Sequence, residues 1–93
     1  MYIVCMDSEI EFSKHALERI TERGANCEFI ENALKGGVKD AMRYPSPKNP
    51  NIWILIAKDG MGKYWTVIYS EKIVITVRRA HKSEEKLYDE TFR

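Results

Sequence analysis

The chain has 93 residues, of which 44% are hydrophobic, 31% charged and 11% aromatic. At the usual ~100 to 200 residues per domain, this length leaves room for one hydrophobic core, and the composition is too apolar for a disordered chain. The net charge of +1 points by itself to no partner. We therefore expect a single globular domain spanning residues 1–93.

The apolar runs of the chain are short. The longest, Met1 to Met6 and Ile52 to Ala57, have six residues each, whereas a membrane-spanning helix needs about 20. No Lys or Arg precedes the first run, as one would in a secretory signal. The two cysteines, Cys5 and Cys27, form no C-x-x-C pair and, with the two histidines, lack the spacing of a zinc site. We expect a cytoplasmic protein without a metal or another cofactor.

Three segments carry the signals of helices. Each follows a residue whose side-chain oxygen can accept from the free N–H groups of a first turn, and the first two end at glycines. The predicted helices are Lys14 to Arg23 between Ser13 and Gly24, a second from the cap Asn26 to the pair Gly36-Gly37, and a third from the cap Ser83 to about Glu90.

Runs rich in β-branched and aromatic residues predict the strands, with turn-forming residues between them. These strands are Tyr2 to Met6, Val38 to Tyr44, Ile52 to Lys58, Lys63 to Tyr69 and Ile73 to Arg79. The fold class expected is α+β, with two N-terminal helices, an antiparallel sheet of three to four strands and a C-terminal helix. We expect the helices to pack on one side of the sheet and leave its other face open.

The first helix carries a basic stripe. His15, Arg19 and Arg23 recur at i, i+4 and i+8, so they drift over only about 80° of the helix surface. Such a stripe suits an anion. The alternative is a solvated face, on which Arg19 pairs with Glu22 and Arg23 interacts with the negative end of the helix dipole.

A second basic region lies in the strands. Residues 57 to 82 carry six bases and two acids and are flanked by acidic ends, which suits a phosphate backbone. Strand alternation puts Val77 and Arg79 on one face and Val74 and Arg78 on the other. An arginine at a strand end can hold a phosphate bidentately. Alternatively it pairs with a glutamate at the start of the last helix, Glu84 or Glu85, and His81 is an exposed loop histidine.

Aromatic residues cluster on the same strands and on the last helix. Tyr64, Trp65 and Tyr69 share one strand, Trp53 lies on its neighbour and Tyr88 on the helix. Such rings stack on unpaired RNA bases, but they also fill small cores. We expect both tryptophans to lie in the core and the three tyrosines to keep a hydroxyl available for water or a ligand.

Two segments resemble known families. The residues from His15 to Gly24 look like the H-A-x-x-R-x-x-x-R-G opening of a family of small uncharacterised bacterial domains. The tail from Val74 to Tyr88 resembles the ending of BrnT-type toxins, in which an I-S-A-R-x-A strand end precedes a helix with Glu and Tyr. Where BrnT sequences usually show K-H-G, this chain has Glu-Arg-Gly, which indicates a sister family within the RelE/ParE-like group.

This resemblance implies a type II toxin that cleaves RNA without a metal and is neutralised by a cognate antitoxin. It assigns catalytic roles to His15 as the base or acid, to Arg78 on the phosphate, and to Tyr88. The residues expected to contact RNA are Arg19, Arg23, Lys63, Tyr64, Tyr69, Arg79 and Lys82. The alternative is a non-catalytic module that binds nucleic acid or protein through the same basic residues.

Overall fold

The computed structural model describes the backbone of residues 3 and 4 and all atoms of residues 10–38, 40–71 and 73–92. It confirms the α+β class. The elements in chain order are β1 (Ile3–Val4), β2 (Glu11–Phe12), α1 (Lys14–Arg23), α2 (Cys27–Leu34), β3 (Ala41–Pro45), β4 (Trp53–Lys58), β5 (Tyr64–Ser70), β6 (Ile73–Arg79) and α3 (Lys82–Thr91).

The sheet is larger than expected and mixed. Within the described residues it has six strands in the order β1-β2-β6-β5-β4-β3. Strands β3 to β6 form the expected antiparallel meander, whereas β2 pairs parallel to β6. The prediction of a purely antiparallel sheet of three to four strands is therefore wrong. Of the strand predicted over Tyr2 to Met6, Ile3–Val4 forms β1, and the rest lies outside the described residues.

Helix α1 is tied to the sheet at its first residue. The Ser13 hydroxyl accepts from the N–H of Ala16 (3.1 Å), as expected of an N-cap. The same hydroxyl donates to the carbonyl of Ile75 (2.9 Å), and the Ser13 N–H donates to that of Val74 (3.0 Å). Gly24 ends the helix at φ 69°, in the left-handed region. One serine thus both starts α1 and fixes it on β6.

Helix α2 ends two residues before the predicted glycine pair. The Asn26 side chain caps it by accepting from the N–H of Phe29 (3.2 Å). At its other end the guanidinium of Arg43, on β3, donates to the carbonyls of Ala33 (3.0 Å) and Leu34 (3.4 Å). The Ala33 carbonyl also accepts from the Gly36 N–H (3.2 Å), so Arg43 adds a cap from another element to the last carbonyls of the helix.

The main core lies between one face of the sheet and helices α1 and α2. Leu55, Val67 and Val77 are direct neighbours across β4, β5 and β6, so they share this face. Val74 joins them, although alternation predicts the opposite face, because a bulge in β6 changes the register after Ile68. The helices contribute Ala16, Ile20, Ile30 and Ala33 to the same cluster.

Helix α3 covers the opposite face of the sheet. Thr66 and Arg78 are direct neighbours on β5 and β6, one position away from the core residues, so they point away from α1 and α2. Both side chains contact Glu84 of α3. The expectation that all helices pack on one side is therefore wrong. The helix starts at Lys82, with His81 as its N-cap residue in place of the predicted Ser83.

Candidate nucleic-acid interface

The basic stripe of α1 lies on the outer side of that helix. Ala16 and Ile20 face the core, while His15 and Arg23 are exposed. Arg19 forms an ion pair with Glu22 (Nη1 to Oε2, 2.8 Å) between side chains that are 37% and 58% exposed. The structure thus gives Arg19 the local partner of the solvated-face alternative. Such an exposed pair on one helix stabilises by a few tenths of a kcal/mol.

Arg78 is engaged by a carboxylate. Its Nη1 and Nη2 donate to Oε1 and Oε2 of Glu84 at 2.7 and 3.0 Å, which is a bidentate pair. The two side chains are 24% and 12% exposed. The alternative in which this arginine pairs with a glutamate of the last helix is the arrangement found here. A phosphate approaching Arg78 would have to compete with Glu84 for the guanidinium.

Glu84 collects further hydrogen bonds at the junction of β6 and α3. Its Oε1 accepts from the Thr66 hydroxyl (3.2 Å) and from the His81 N–H (2.8 Å). Burial alone would raise the pKa of Glu84, but the hydrogen bonds from Arg78, His81 and Thr66 and the charge of Arg78 outweigh it, and the pKa is lowered. The carboxylate therefore stays ionised and locks α3 onto the sheet.

The three residues assigned to catalysis are not brought together. His15 belongs to α1, which packs on the core face, whereas Arg78 lies on the face covered by α3. Tyr88 of α3 is buried, and its hydroxyl donates to the carbonyl of Asp40 (2.7 Å). The sheet therefore separates His15 from Arg78 and Tyr88, and the Tyr88 hydroxyl already has a structural role.

Tyr64 packs beside Tyr88 with its ring edge-on (centroids 5.4 Å apart). Its hydroxyl donates to Oδ1 of Asp89 (2.7 Å), and this hydrogen bond, with burial and nearby acidic groups, raises the pKa of Tyr64 to about 12. The ammonium of Lys58 lies 5.2 Å from the ring centroid. Tyr64 thus joins α3 to the start of β5.

The remaining aromatic residues divide between core and surface. Trp65 is fully buried, as expected, and Tyr69 lies in the same core cluster. Trp53 is 38% exposed, so its predicted place in the core is wrong. Trp53 is the first residue of β4, whose buried residues lie further along the strand at Leu55, Ile56 and Ala57.

Cations from four segments lie at the other end of the sheet. Lys58 ends β4 opposite Tyr64, while Arg79 ends β6 opposite Trp65, and the Ala80 N–H donates to the Tyr64 carbonyl (3.1 Å). We call this region the basic end of the sheet, and its members are Lys58, Lys63, Arg79, His81 and Lys82. Among the described residues, Lys58, Lys63, Lys82 and Arg79 form no ion pair with a carboxylate.

The carboxylate of the turn between β4 and β5 is held by hydrogen bonds within that turn and from β5. Asp59 accepts from the indole N–H of Trp65 (2.8 Å) and from the backbone N–H groups of Met61 (2.8 Å) and Lys63 (2.9 Å). Burial would raise the pKa of Asp59, but these hydrogen bonds and the charge of Lys63 outweigh it, and the pKa is lowered. The Arg79 guanidinium lies over the Trp65 ring, 5.4 Å from its centroid. Asp59 thus binds its own turn, while the exposed Lys58 and Arg79 lie on opposite faces at this end of the sheet.

The basic end includes Lys63, Arg79 and Lys82 from the predicted RNA contacts and adds Lys58 and His81. The sequence signal for it is the excess of bases between residues 57 and 82. Among the described residues, no group of three or more His, Cys, Asp and Glu side chains is placed to hold a metal ion. No helix in the described part of the chain has the length and apolar character needed to cross a membrane.

Comparisons with protein-family models, with curated proteins and with solved structures found no match to this chain. An end of a sheet with several cations that lack carboxylate partners can bind successive phosphates of a nucleic acid strand.

Proposed function

We propose that the protein binds RNA through the basic end of the sheet and acts there as a small metal-independent ribonuclease, a toxin of the RelE/ParE-like kind. The observation that carries the proposal is that Lys58, Lys63, Arg79 and Lys82, from four segments, lie at one end of the sheet, and that none of them forms an ion pair with a carboxylate among the described residues. Neutralising phosphates releases counterions, which makes such binding favourable and salt-dependent.

His81 is the histidine that this site offers for proton transfer. It lies between Arg79 and Lys82 in the chain, its side chain is 70% exposed, and its Nδ1 is 3.7 Å from Oε1 of Glu84. We therefore assign to His81 the role that the family resemblance gives to His15.

The reaction proposed is an internal transesterification. His81 takes the proton of a ribose 2′-hydroxyl, the 2′-oxygen attacks the adjacent phosphorus, and the 5′-oxygen leaves with a proton from water. The products are a 2′,3′-cyclic phosphate and a free 5′-hydroxyl. The cations of the basic end stabilise the charge that develops on the phosphorane oxygens. The nucleophile belongs to the substrate, so this route requires no metal-bound water.

A cognate antitoxin is the partner that this proposal implies. An acidic segment that folds over the basic end would occupy Lys63 and Lys82 and block the access of RNA. Such a complex weakens as salt concentration rises, because its contacts are between charges near the surface.

A non-catalytic RNA-binding module is the second candidate function. It is favoured because two residues assigned to catalysis have structural roles. The Arg78 guanidinium is hydrogen-bonded to Glu84, and the Tyr88 hydroxyl donates to the Asp40 carbonyl. A binding module and a ribonuclease share the same basic end, so RNA cleavage is what separates them.

The test compares the two histidines on labelled single-stranded RNA in EDTA. We expect the wild type to cleave the RNA and His81→Gln to cleave it at least ~100-fold more slowly. His15→Gln, the matched control, should cleave it at the wild-type rate. Binding of uncut RNA should change little in either variant. Cleavage that requires added metal contradicts the mechanism, and loss of cleavage only in His15→Gln contradicts the assignment. RNA binding without any cleavage by the wild type supports the module.

A further inference from the structure

A cleft opens at the end of the sheet away from the basic end. It has a volume of about 510 Å³, and its lining includes Arg43, Asn51, Trp53, Tyr69, Ser70 and Glu71. Small-molecule sites usually fall between about 300 and 1,000 Å³ and combine aromatic walls with a few polar groups. We call this region the aromatic cleft. None of its residues takes part in the basic end.

The aromatic surface of the cleft comes from two neighbouring strands. Trp53 on β4 is directly opposite Tyr69 on β5. Tyr69 is buried in the core cluster, whereas 38% of Trp53 is accessible to solvent. An indole ring anchored beside a core residue and open on one side offers a fixed stacking surface to a planar ligand.

Arg43, whose side chain is fixed by hydrogen bonds, also lines the aromatic cleft. Arg43 donates to the carbonyls of Ala33 and Leu34, so its guanidinium is fixed by the end of α2. A guanidinium has five N–H donors, and these two bonds leave the others without a partner in the described structure. Arg43 can therefore donate to a ligand without losing the contacts that hold it in place.

The acceptors of the cleft come from the turns on its rim. Glu71 occupies the tight turn between β5 and β6 at φ 52°, a left-handed conformation that fixes its backbone. The Ser70 hydroxyl donates to the Asn51 carbonyl (3.1 Å) and joins this turn to the start of β4. The lining thus carries one cation, one carboxylate and an amide. A simple anion or a simple cation would each meet a like charge there.

We propose that the aromatic cleft binds an unpaired nucleobase. The base stacks on Trp53, its ring nitrogen and carbonyl acceptors receive hydrogen bonds from Arg43, and its amino and imino donors approach Glu71. A nucleobase fits because it is planar and uncharged and carries both donors and acceptors along its edge. The inference rests on the proposed function in that the base belongs to the RNA strand held by the basic end.

The test follows the indole N–H signals of Trp53 and Trp65 separately by ¹H–¹⁵N correlation spectroscopy of the wild-type protein. The Trp65 indole N–H is bound to Asp59 inside the structure, so its signal serves as the internal control. We expect guanosine 5′-monophosphate to shift the Trp53 indole signal saturably, with Kd in the millimolar range or tighter, and to leave the Trp65 signal unchanged. Arg43→Met, which keeps an unbranched side chain, should weaken this binding at least threefold.

Ribose 5-phosphate provides the matched ligand control, because it carries the same phosphate without a base. Equal shifts from both ligands, or an unchanged Kd in Arg43→Met, would overturn the assignment. Trp53→Leu should abolish the binding, measured by calorimetry, while the circular dichroism spectrum stays that of the wild type.

Different results would reject nucleobase binding in the aromatic cleft and RNA binding at the basic end. A Lys63→Ala/Lys82→Ala variant should bind the nucleotide with the wild-type Kd, because neither lysine lines the cleft. If RNA binds at the basic end but the nucleotide leaves Trp53 unshifted, the nucleobase inference is wrong and the proposed function stands. If the nucleotide shifts Trp53 but no RNA binds, the proposed function is wrong.

Discussion

The two basic regions of this protein differ in how their charges are assembled. On α1, His15, Arg19 and Arg23 follow one another along a single helix, and the middle residue has a partner one turn away. At the basic end, the cations come from four segments that strand pairing brings together, and the nearby Asp59 binds its own turn. A regular spacing on one helix thus gives a solvated face, whereas the basic end gathers cations from separate elements, and its lysines and Arg79 form no ion pair with a carboxylate among the described residues.

The ion pairs beside these regions differ in the same way. Arg19 and Glu22 lie on one helix and are largely solvated, so water already stabilises each of them. Arg78 and Glu84 join β6 to α3 in a partly buried site, where each charge depends on the other. The first pair lies on the surface of α1, whereas the second holds α3 against the sheet next to the basic end.

The largest effect on stability should follow the removal of Arg78. Arg78→Ala leaves Glu84 partly buried without its bidentate partner, and we expect a loss of about 2 to 3 kcal/mol in the free energy of unfolding. This is below the loss for a fully buried pair because Arg78 is 24% exposed. Urea denaturation at neutral pH measures it. A loss no greater than that of Arg19→Ala would show that the junction does not hold α3.

Acid should weaken the same junction. The pKa of Glu84 is lowered in the folded protein, so its contribution is present above the pKa of an unfolded glutamate, about 4.3, and is lost as pH falls through the lowered pKa. Glu84→Gln cannot lose a charge, and we expect its free energy of unfolding to fall less between pH 5 and acid than that of the wild type. Asp59 contributes a similar loss to both proteins. Parallel pH profiles would contradict the role of Glu84.

The smallest effect should follow the removal of Arg19. Arg19→Ala deletes an exposed pair, and alanine is a good helix former, so the free energy of unfolding should change by less than about 0.5 kcal/mol. Thermal melting at low and high salt provides the measurement. A loss above 1 kcal/mol would mean that the α1 stripe has a structural partner, and the contrast between the two regions would disappear.

Local signals in the sequence were sufficient for both ends of α1. The cap Ser13 and the stop Gly24 place α1 correctly because both act within one turn of the helix. Strand β2 was not predicted, since two residues carry no periodicity and its pairing with β6 is long-range. The side of the sheet on which α3 packs depends on the link between Arg78 and Glu84, which the spacing of the residues allowed but did not require.

The candidate site was harder to predict than the fold. The opposite orientations of Arg78 and Arg79 follow from strand alternation and were predicted correctly. That Lys58 and Arg79 share one end of the sheet depends on the register of three strands, and hydrophobic pattern alone does not fix that register at the turns. The exposure of Trp53 depends on which side chains pack against the start of β4, which no local pattern specifies.

The RNA affinities of two matched double variants decide which of the two basic regions binds RNA. Lys63→Ala/Lys82→Ala and Arg19→Ala/Arg23→Ala each remove two positive charges, one pair from the basic end and the other from α1. On a single-stranded RNA we expect the first to weaken binding at least tenfold at low salt and to reduce the slope of log K against log salt by about 1.4, at ~0.7 per phosphate contact. The second should weaken binding less than twofold. A greater loss in Arg19→Ala/Arg23→Ala, or equal losses in both, would contradict the assignment of RNA binding to the basic end of the sheet.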